Sequence, residues 1–292
     1  MRAYQGLLTA IVTPFYSDGR VNQEAAADLV AHLLRSGSDG LVVCATTGEP
    51  STLSRDEKVS LFELFVEKFA NQATIVGNTG SNDTREACEL TERAVLAGVH
   101  GILSVTPYYN KPNRRGLRRH YEEVAKAAGG VPVILYNNPG RTALNIPPDV
   151  LAELAQIDGI EAVKQSNADE LQLIDGLAVL AGNDDLLAET LEMGGAGGIC
   201  VASHIVGPQM KRLFHEPALR ADIDHSLRDV YDAMLITTNP APVKAALNML
   251  GHAVGGLRLP LVEVDEREQA EIRAVLERHG LLARSVAPAG TA

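Results

Sequence analysis

Eight short apolar runs, each followed by a helical stretch, constrain this chain more than any other feature. They are LLTAIVTP, GLVVCATT, ATIVGNT, GILSVTP, VPVILYNN, GIEAVKQS, LAVLAGN and GGICVAS, beginning near residues 7, 40, 73, 101, 131, 159, 177 and 197. The intervening segments carry helix signals. Ser54-Arg55-Asp56-Glu57 is a capping box, and Asp83 or Thr84 caps a helix that ends at Gly98. Apolar strands separated by helices imply a parallel sheet covered on both faces, and eight such units imply an α/β fold closed as a TIM (β/α)8 barrel. An open, doubly wound sheet is the other arrangement. It lacks support, because the first strand leads into SDGRVNQEA rather than a GxGxxG turn. Residues 1–204 are assigned to the barrel and 205–282 to additional C-terminal helices packed on it, including the amphipathic NPAPVKAALNML. The segment 283–292, ARSVAPAGTA, reads as a disordered tail.

Composition excludes several classes of partner. With 46% hydrophobic and 22% charged residues the chain can bury a core, while a net charge of -11 disfavours nucleic acid and anionic membranes. No apolar stretch reaches the length of a membrane span, and the first residues lack a signal-peptide pattern, so a cytoplasmic location is expected. Cys44, Cys88 and Cys200 form no CxxC pair and read as free thiols. The eight histidines contain no HExxH pair, so no metal site is read from them.

In such a barrel the chemistry lies at the C-terminal ends of the strands. The second run ends in Thr46-Thr47-Gly48-Glu49, the fourth in Thr106-Pro107-Tyr108-Tyr109-Asn110, the fifth in Tyr136 followed by Asn137-Asn138-Pro139-Gly140-Arg141-Thr142, and the sixth carries Lys164. Strand alternation puts Ile160, Ala162 and Lys164 on one face and Pro132, Ile134 and Tyr136 on one face of the preceding strand. Because adjacent strands lie about 4.8 Å apart, Tyr136 and Lys164 are neighbours if both faces point inward. Lys164 has two readings: a strand-mouth lysine reaching water, or a desolvated amine with a lowered pKa that attacks a carbonyl carbon. Thr46-Thr47-Gly48 forms a turn or holds a carboxylate. Arg141 is a surface residue or a carboxylate clamp. Asn183-Asp184-Asp185 looks like a metal cluster but falls where a helix starts, which favours capping. Gly194 to Gly198 cradles a phosphate or turns a helix into a strand. The basic run from Lys111 to Arg119 is a solvated helix face, or it steers an anionic substrate to the site mouth.

ATTGE, VTPYYNKP, LYNNPGRT and AVKQS, in this order, resemble the dihydrodipicolinate synthase and N-acetylneuraminate lyase family of pyruvate-dependent class I aldolases. The resemblance runs from AIVTPF to LRLP. It implies that Lys164 forms an imine with pyruvate, and that Tyr136, Thr47 and Tyr109 relay protons, Tyr109 reaching into a neighbouring subunit. It also implies that Thr46 and Thr47 hold the pyruvate carboxylate, that Arg141 holds the carboxylate of the aldehyde, and that Ile199 offers a backbone carbonyl. By the same resemblance the chain is a homo-oligomer, a tetramer as a dimer of dimers, and needs no metal or organic cofactor. Arg141 and the second tyrosine of PYYN look most like the members that condense pyruvate with aspartate semialdehyde in lysine biosynthesis.

Departures from the family pattern fall around the pocket: Gln165-Ser166-Asn167-Ala168 after the lysine, Ala45 before the threonines, and Gly182-Asn183 after the seventh strand. They leave open a sibling lyase acting on a sialic or 2-keto-3-deoxy sugar acid, or a non-catalytic keto-acid sensor. Asn82, Glu86 and Tyr108 match a regulatory pocket for lysine in related synthases, and Arg55 and Lys58 stand beside it. Two positive charges disfavour a cationic ligand. Weak or absent inhibition by lysine is expected; near-complete inhibition at low-millimolar concentration in a steady-state assay contradicts it.

Overall fold

The computed structural model describes residues 4–283. Strands β1 (Gly6–Ala10), β2 (Gly40–Val43), β3 (Thr74–Asn78), β4 (Gly101–Val105), β5 (Val133–Asn137), β6 (Ile160–Gln165), β7 (Ala178–Ala181) and β8 (Gly197–Cys200) pair in sequence order. All pairings are parallel, and β8 closes on β1. The expected barrel is thus present. Alternation splits the strands into two apolar layers: Leu8, Val42, Val76, Leu103, Ile134, Ala162, Leu180 and Ile199 fill the interior, while Leu7, Leu41, Ile75, Ile102, Leu135 and Val163 meet the helices. Burying each of the larger aliphatic chains contributes about 2 kcal/mol before entropy is counted.

Helix starts follow the predicted chemistry. Ser54 and Glu57 exchange hydrogen bonds in a capping box before the helix Arg55–Phe69, and Asp83 accepts from the Arg85 N–H before Thr84–Leu96. The glycine run needs no ligand to explain it. Gly197, at φ +143°, lies so near β1 that a Cβ there would sit 2.1 Å from the Gly6 carbonyl oxygen, so it serves barrel closure.

Strand β6 departs from simple alternation. Val133 pairs with Ile160, but Ile134 pairs with Ala162, so Glu161 is an extra residue, a β-bulge. Ile160 therefore joins the outer layer, correcting the expectation that it shares a face with Ala162 and Lys164. Above the bulge the register is regular, and Tyr136 pairs with Lys164.

The expected boundary at 204/205 falls inside the helix Ser203–His215, which follows β8 and packs on β1, whereas β6 is followed only by the short turn Ala168–Glu170 and not by the expected helix. The helices that follow are Arg220–Ala233, Ala241–Met249 and Glu266–Arg278. Residues 284–292 of the expected disordered tail lie outside the described residues. Cys44, Cys88 and Cys200 are free. Among the described residues no helix is long and apolar enough to cross a membrane.

Two buried histidines make the fold acid-sensitive. His204 accepts the Val12 N–H at one ring nitrogen and meets the Val201 carbonyl at the other, and burial lowers its pKa to about 4; burial lowers His120 likewise to about 4. A histidine whose folded pKa lies below its unfolded value leaves stability intact above about pH 6.5, and stability is lost as pH falls towards the folded value. For His204 the loss between pH about 7 and about 5 is about 2 kcal/mol. Urea unfolding across that range is expected to show it, with a shallower slope in His204→Gln. An identical slope in the variant rules out His204 as the source.

Candidate active site

The C-terminal ends of the strands open into a cavity of about 360 Å³ whose lining includes Thr46, Lys58, Asn78, Tyr108, Tyr136, Arg141 and Asn239. Lys164 lies behind this surface. It is 4% exposed, and its Nζ stands 4.3 Å from the centroid of the Tyr136 ring. The amine thus faces inward, over the ring face rather than at the phenolic oxygen. None of the ion pairs formed by the described residues involves it. Burial alone would push the Tyr136 phenol up, but the Lys164 charge, a hydrogen bond from Asn138, the Arg141 charge and the Ser166 hydroxyl together hold it below its ordinary value.

After β2 the chain makes a tight turn, Thr46–Gly48, tied down by the Thr13 hydroxyl donating to the Gly48 carbonyl at 2.7 Å. Thr47 is buried and its Oγ1 accepts from Asn239 Nδ2 at 3.0 Å. Its own hydrogen is therefore directed elsewhere. Glu49 ends the turn at φ +55°, with its carboxylate fully buried. Lys244 Nζ donates to Glu49 Oε1 at 2.6 Å and to the Gly256 carbonyl at 2.7 Å, while the Arg258 N–H donates to Glu49 Oε2 at 3.0 Å. Burial lowers the Lys244 pKa, and the ring of Phe15 lies 4.2 Å from its Nζ.

Beyond β5, Asn138 caps the single helical turn Pro139–Thr142, which presents Arg141 at the cavity. The guanidinium makes no hydrogen bond among the described residues, so it is available to an anion. A buried amide network holds the neighbouring strand ends. Gln165 Oε1 accepts from Asn137 Nδ2 at 3.1 Å and from the Asn167 N–H at 3.0 Å, and Asn145 Nδ2 donates to Glu170. Gln165 adds no charge next to Lys164.

Other predicted residues lie apart. Tyr109 is 89% exposed at φ +71° and does not join the cavity of its own chain. Ile199 is buried in the barrel interior. Glu86 lines the cavity with Tyr108 and accepts from the Ser81 hydroxyl at 2.7 Å, and the Asn82 carbonyl accepts from Asn110. Arg55 is paired with Glu89 at 2.8 Å, so of the two cations beside this region Lys58 is the one that lines the cavity. Asp184 belongs to no cluster of candidate metal ligands among the described residues and does not cap the turn it begins. Its Oδ1 accepts the N–H groups of Val201 and Ala202, and burial raises its pKa to about 6 against those two bonds. In the basic run, Arg114 pairs with Asp149 and Glu153, and Arg118 with Glu122 and Glu153. That pairing leaves less free charge for steering than the sequence suggests.

Asn239, Lys244 and Arg258 were invisible to sequence reasoning. They follow the last strand, and only their contacts with Thr47 and Glu49 reveal their part in the site.

Similarity to known proteins agrees with this geometry. The chain is 41% identical over 294 residues to a 4-hydroxy-tetrahydrodipicolinate synthase from a Cyanothece species, covering 97% of this chain and 100% of that protein. It is 42% identical over 287 residues to the enzyme of that name from Heliobacterium modesticaldum, covering 94% and 95%. The crystal structure of DHDPS from Cyanidioschyzon merolae with lysine bound superposes at a TM-score of 0.92 and 35% identity, covering 97% and 100%. With the family model of the dihydrodipicolinate synthetase family matching residues 3–279, this chain belongs to that family.

Proposed function

We propose that this chain condenses pyruvate with aspartate semialdehyde to give 4-hydroxy-tetrahydrodipicolinate, a step of lysine and diaminopimelate biosynthesis in the cytoplasm. The observation that carries the reading is the inward amine of Lys164 against the ring of Tyr136, behind a cavity whose lining includes Thr46, Tyr136 and Arg141. The amine attacks the keto carbon of pyruvate, and loss of water leaves an imine. The imine draws electrons from the methyl group. A proton leaves that carbon, its bonding pair forms the enamine, and the enamine carbon attacks the aldehyde. Tyr136 can carry protons in both directions because a phenol both donates and accepts.

The roles of the other residues follow from position. Thr46 and Thr47 hold the pyruvate carboxylate at the tight turn, and Arg141 holds the aldehyde's carboxylate with a planar fork. A neutral polyol substrate would leave that fork unpaired, which favours this reading over a sugar-acid lyase. Ile199 offers a carbonyl from β8. The exposure and left-handed backbone of Tyr109 suit a side chain that enters a neighbouring subunit, in a tetramer built as a dimer of dimers. Asn82, Glu86 and Tyr108 form the counterpart of a lysine site.

Borohydride reduction in the presence of pyruvate, peptide mapping of the adduct, and assay of aspartate semialdehyde test this function together. An adduct on Lys164 with turnover supports it. An adduct without turnover of that aldehyde moves the assignment to a sibling aldolase, and no adduct removes the imine altogether.

A further inference from the structure

We propose that Asn138 is a positioning residue that sets the acidity and orientation of the Tyr136 phenol by donating a hydrogen bond from its side-chain amide. The inference rests on the imine mechanism above and names a group that the four motifs leave without a role. Asn138 Nδ2 lies 2.9 Å from the Tyr136 oxygen. The other end of the same amide accepts the Arg141 N–H at 3.2 Å, and that bond fixes which end is nitrogen. An amide N–H cannot accept. The phenol is therefore the acceptor in this contact, and its own hydrogen is directed away from Asn138.

A donor aimed at a phenolic oxygen favours the phenolate, as does each cation facing it. The charged groups facing the phenol are Lys164 on β6 and Arg141 on the turn after β5. Once pyruvate is held as the imine, the protonation state of nearby nitrogen changes during the cycle, whereas the Asn138 donor is constant. It favours the phenolate, formed when the phenol gives its own hydrogen to solvent: the methyl C–H bond then breaks, its electron pair enters the enamine, and the proton goes to the phenolate oxygen, restoring the phenol. The same side chain caps the turn carrying Arg141, so one residue links the proton-transfer group to the backbone that positions the aldehyde clamp.

Two variants separate the donor from the cap. Asn138→Leu removes both functions. Asn138→Asp keeps an oxygen for the Arg141 N–H, since Asp and Asn cap equally well, but cannot donate when ionised. The phenolate ultraviolet band of Tyr136, isolated by difference against Tyr136→Phe, is expected to titrate about one to two units higher in both variants. Exchange of pyruvate methyl hydrogens with deuterated water, measured by NMR without aldehyde, is expected to slow about tenfold or more. The equilibrium yield of borohydride-trapped adduct on Lys164 is expected to stay within about twofold. Asn138→Asp titrating and exchanging like the unaltered protein overturns the proposal and leaves Asn138 as a cap. Absence of any adduct in the unaltered protein fails the imine reading instead, and the phenol titration still decides the role of Asn138.

Discussion

Lys164→Met is expected to abolish the borohydride adduct with pyruvate and to lower turnover by about 10⁴-fold or more, because Lys164 is the buried amine placed against the Tyr136 ring. Methionine is an apolar side chain of similar length, and Lys164 is 4% exposed, so the fold should tolerate the change. Removing a buried amine that forms no ion pair among the described residues should not lower the melting temperature, which separates loss of chemistry from loss of structure. Trapping with peptide mapping and a coupled assay measure both. Residual turnover within about a hundredfold of the unaltered chain would place the nucleophile elsewhere, and Lys58, which lines the same cavity, would be the first alternative to map.

The second large effect concerns stability. Glu49 and Lys244 form a fully buried pair at 2.6 Å, and removing one partner leaves an uncompensated charge. Lys244→Met is expected to cost about 3 to 5 kcal/mol, a fall of roughly 10 °C in melting temperature for a chain of this size. Glu49→Gln combined with Lys244→Met should cost less than the two single changes summed, since no lone charge remains. Activity should fall along with stability in the single variants, because Glu49 ends the turn that carries Thr46 and Thr47. A Lys244→Met protein melting within about 2 °C of the parent would show that water or local rearrangement screens the charge.

Local patterns in the chain were enough to locate the strands and the central pair of residues. Apolar runs of strand length mark all eight strands, and period-two alternation puts Tyr136 and Lys164 side by side, as the register confirms. What stayed hidden depends on distant parts of the chain meeting. Glu49 lies 195 residues from Lys244, and Thr47 lies 192 from Asn239. No periodicity reports such contacts. Asp184 was misread for the same reason, since its partners Val201 and Ala202 belong to the next strand-to-helix junction. The bulge at Glu161 escaped because a single extra residue within an apolar strand leaves no composition signal.

That extra residue divides β6 into two mechanical parts. The helix-facing Ile160 lies on one side of the bulge and the amine of Lys164 on the other, where the register with β5 is regular. The lower end thus runs in one phase while the reacting end is set in step with the neighbouring tyrosine, much as a slip joint lets two lengths of pipe be aligned separately.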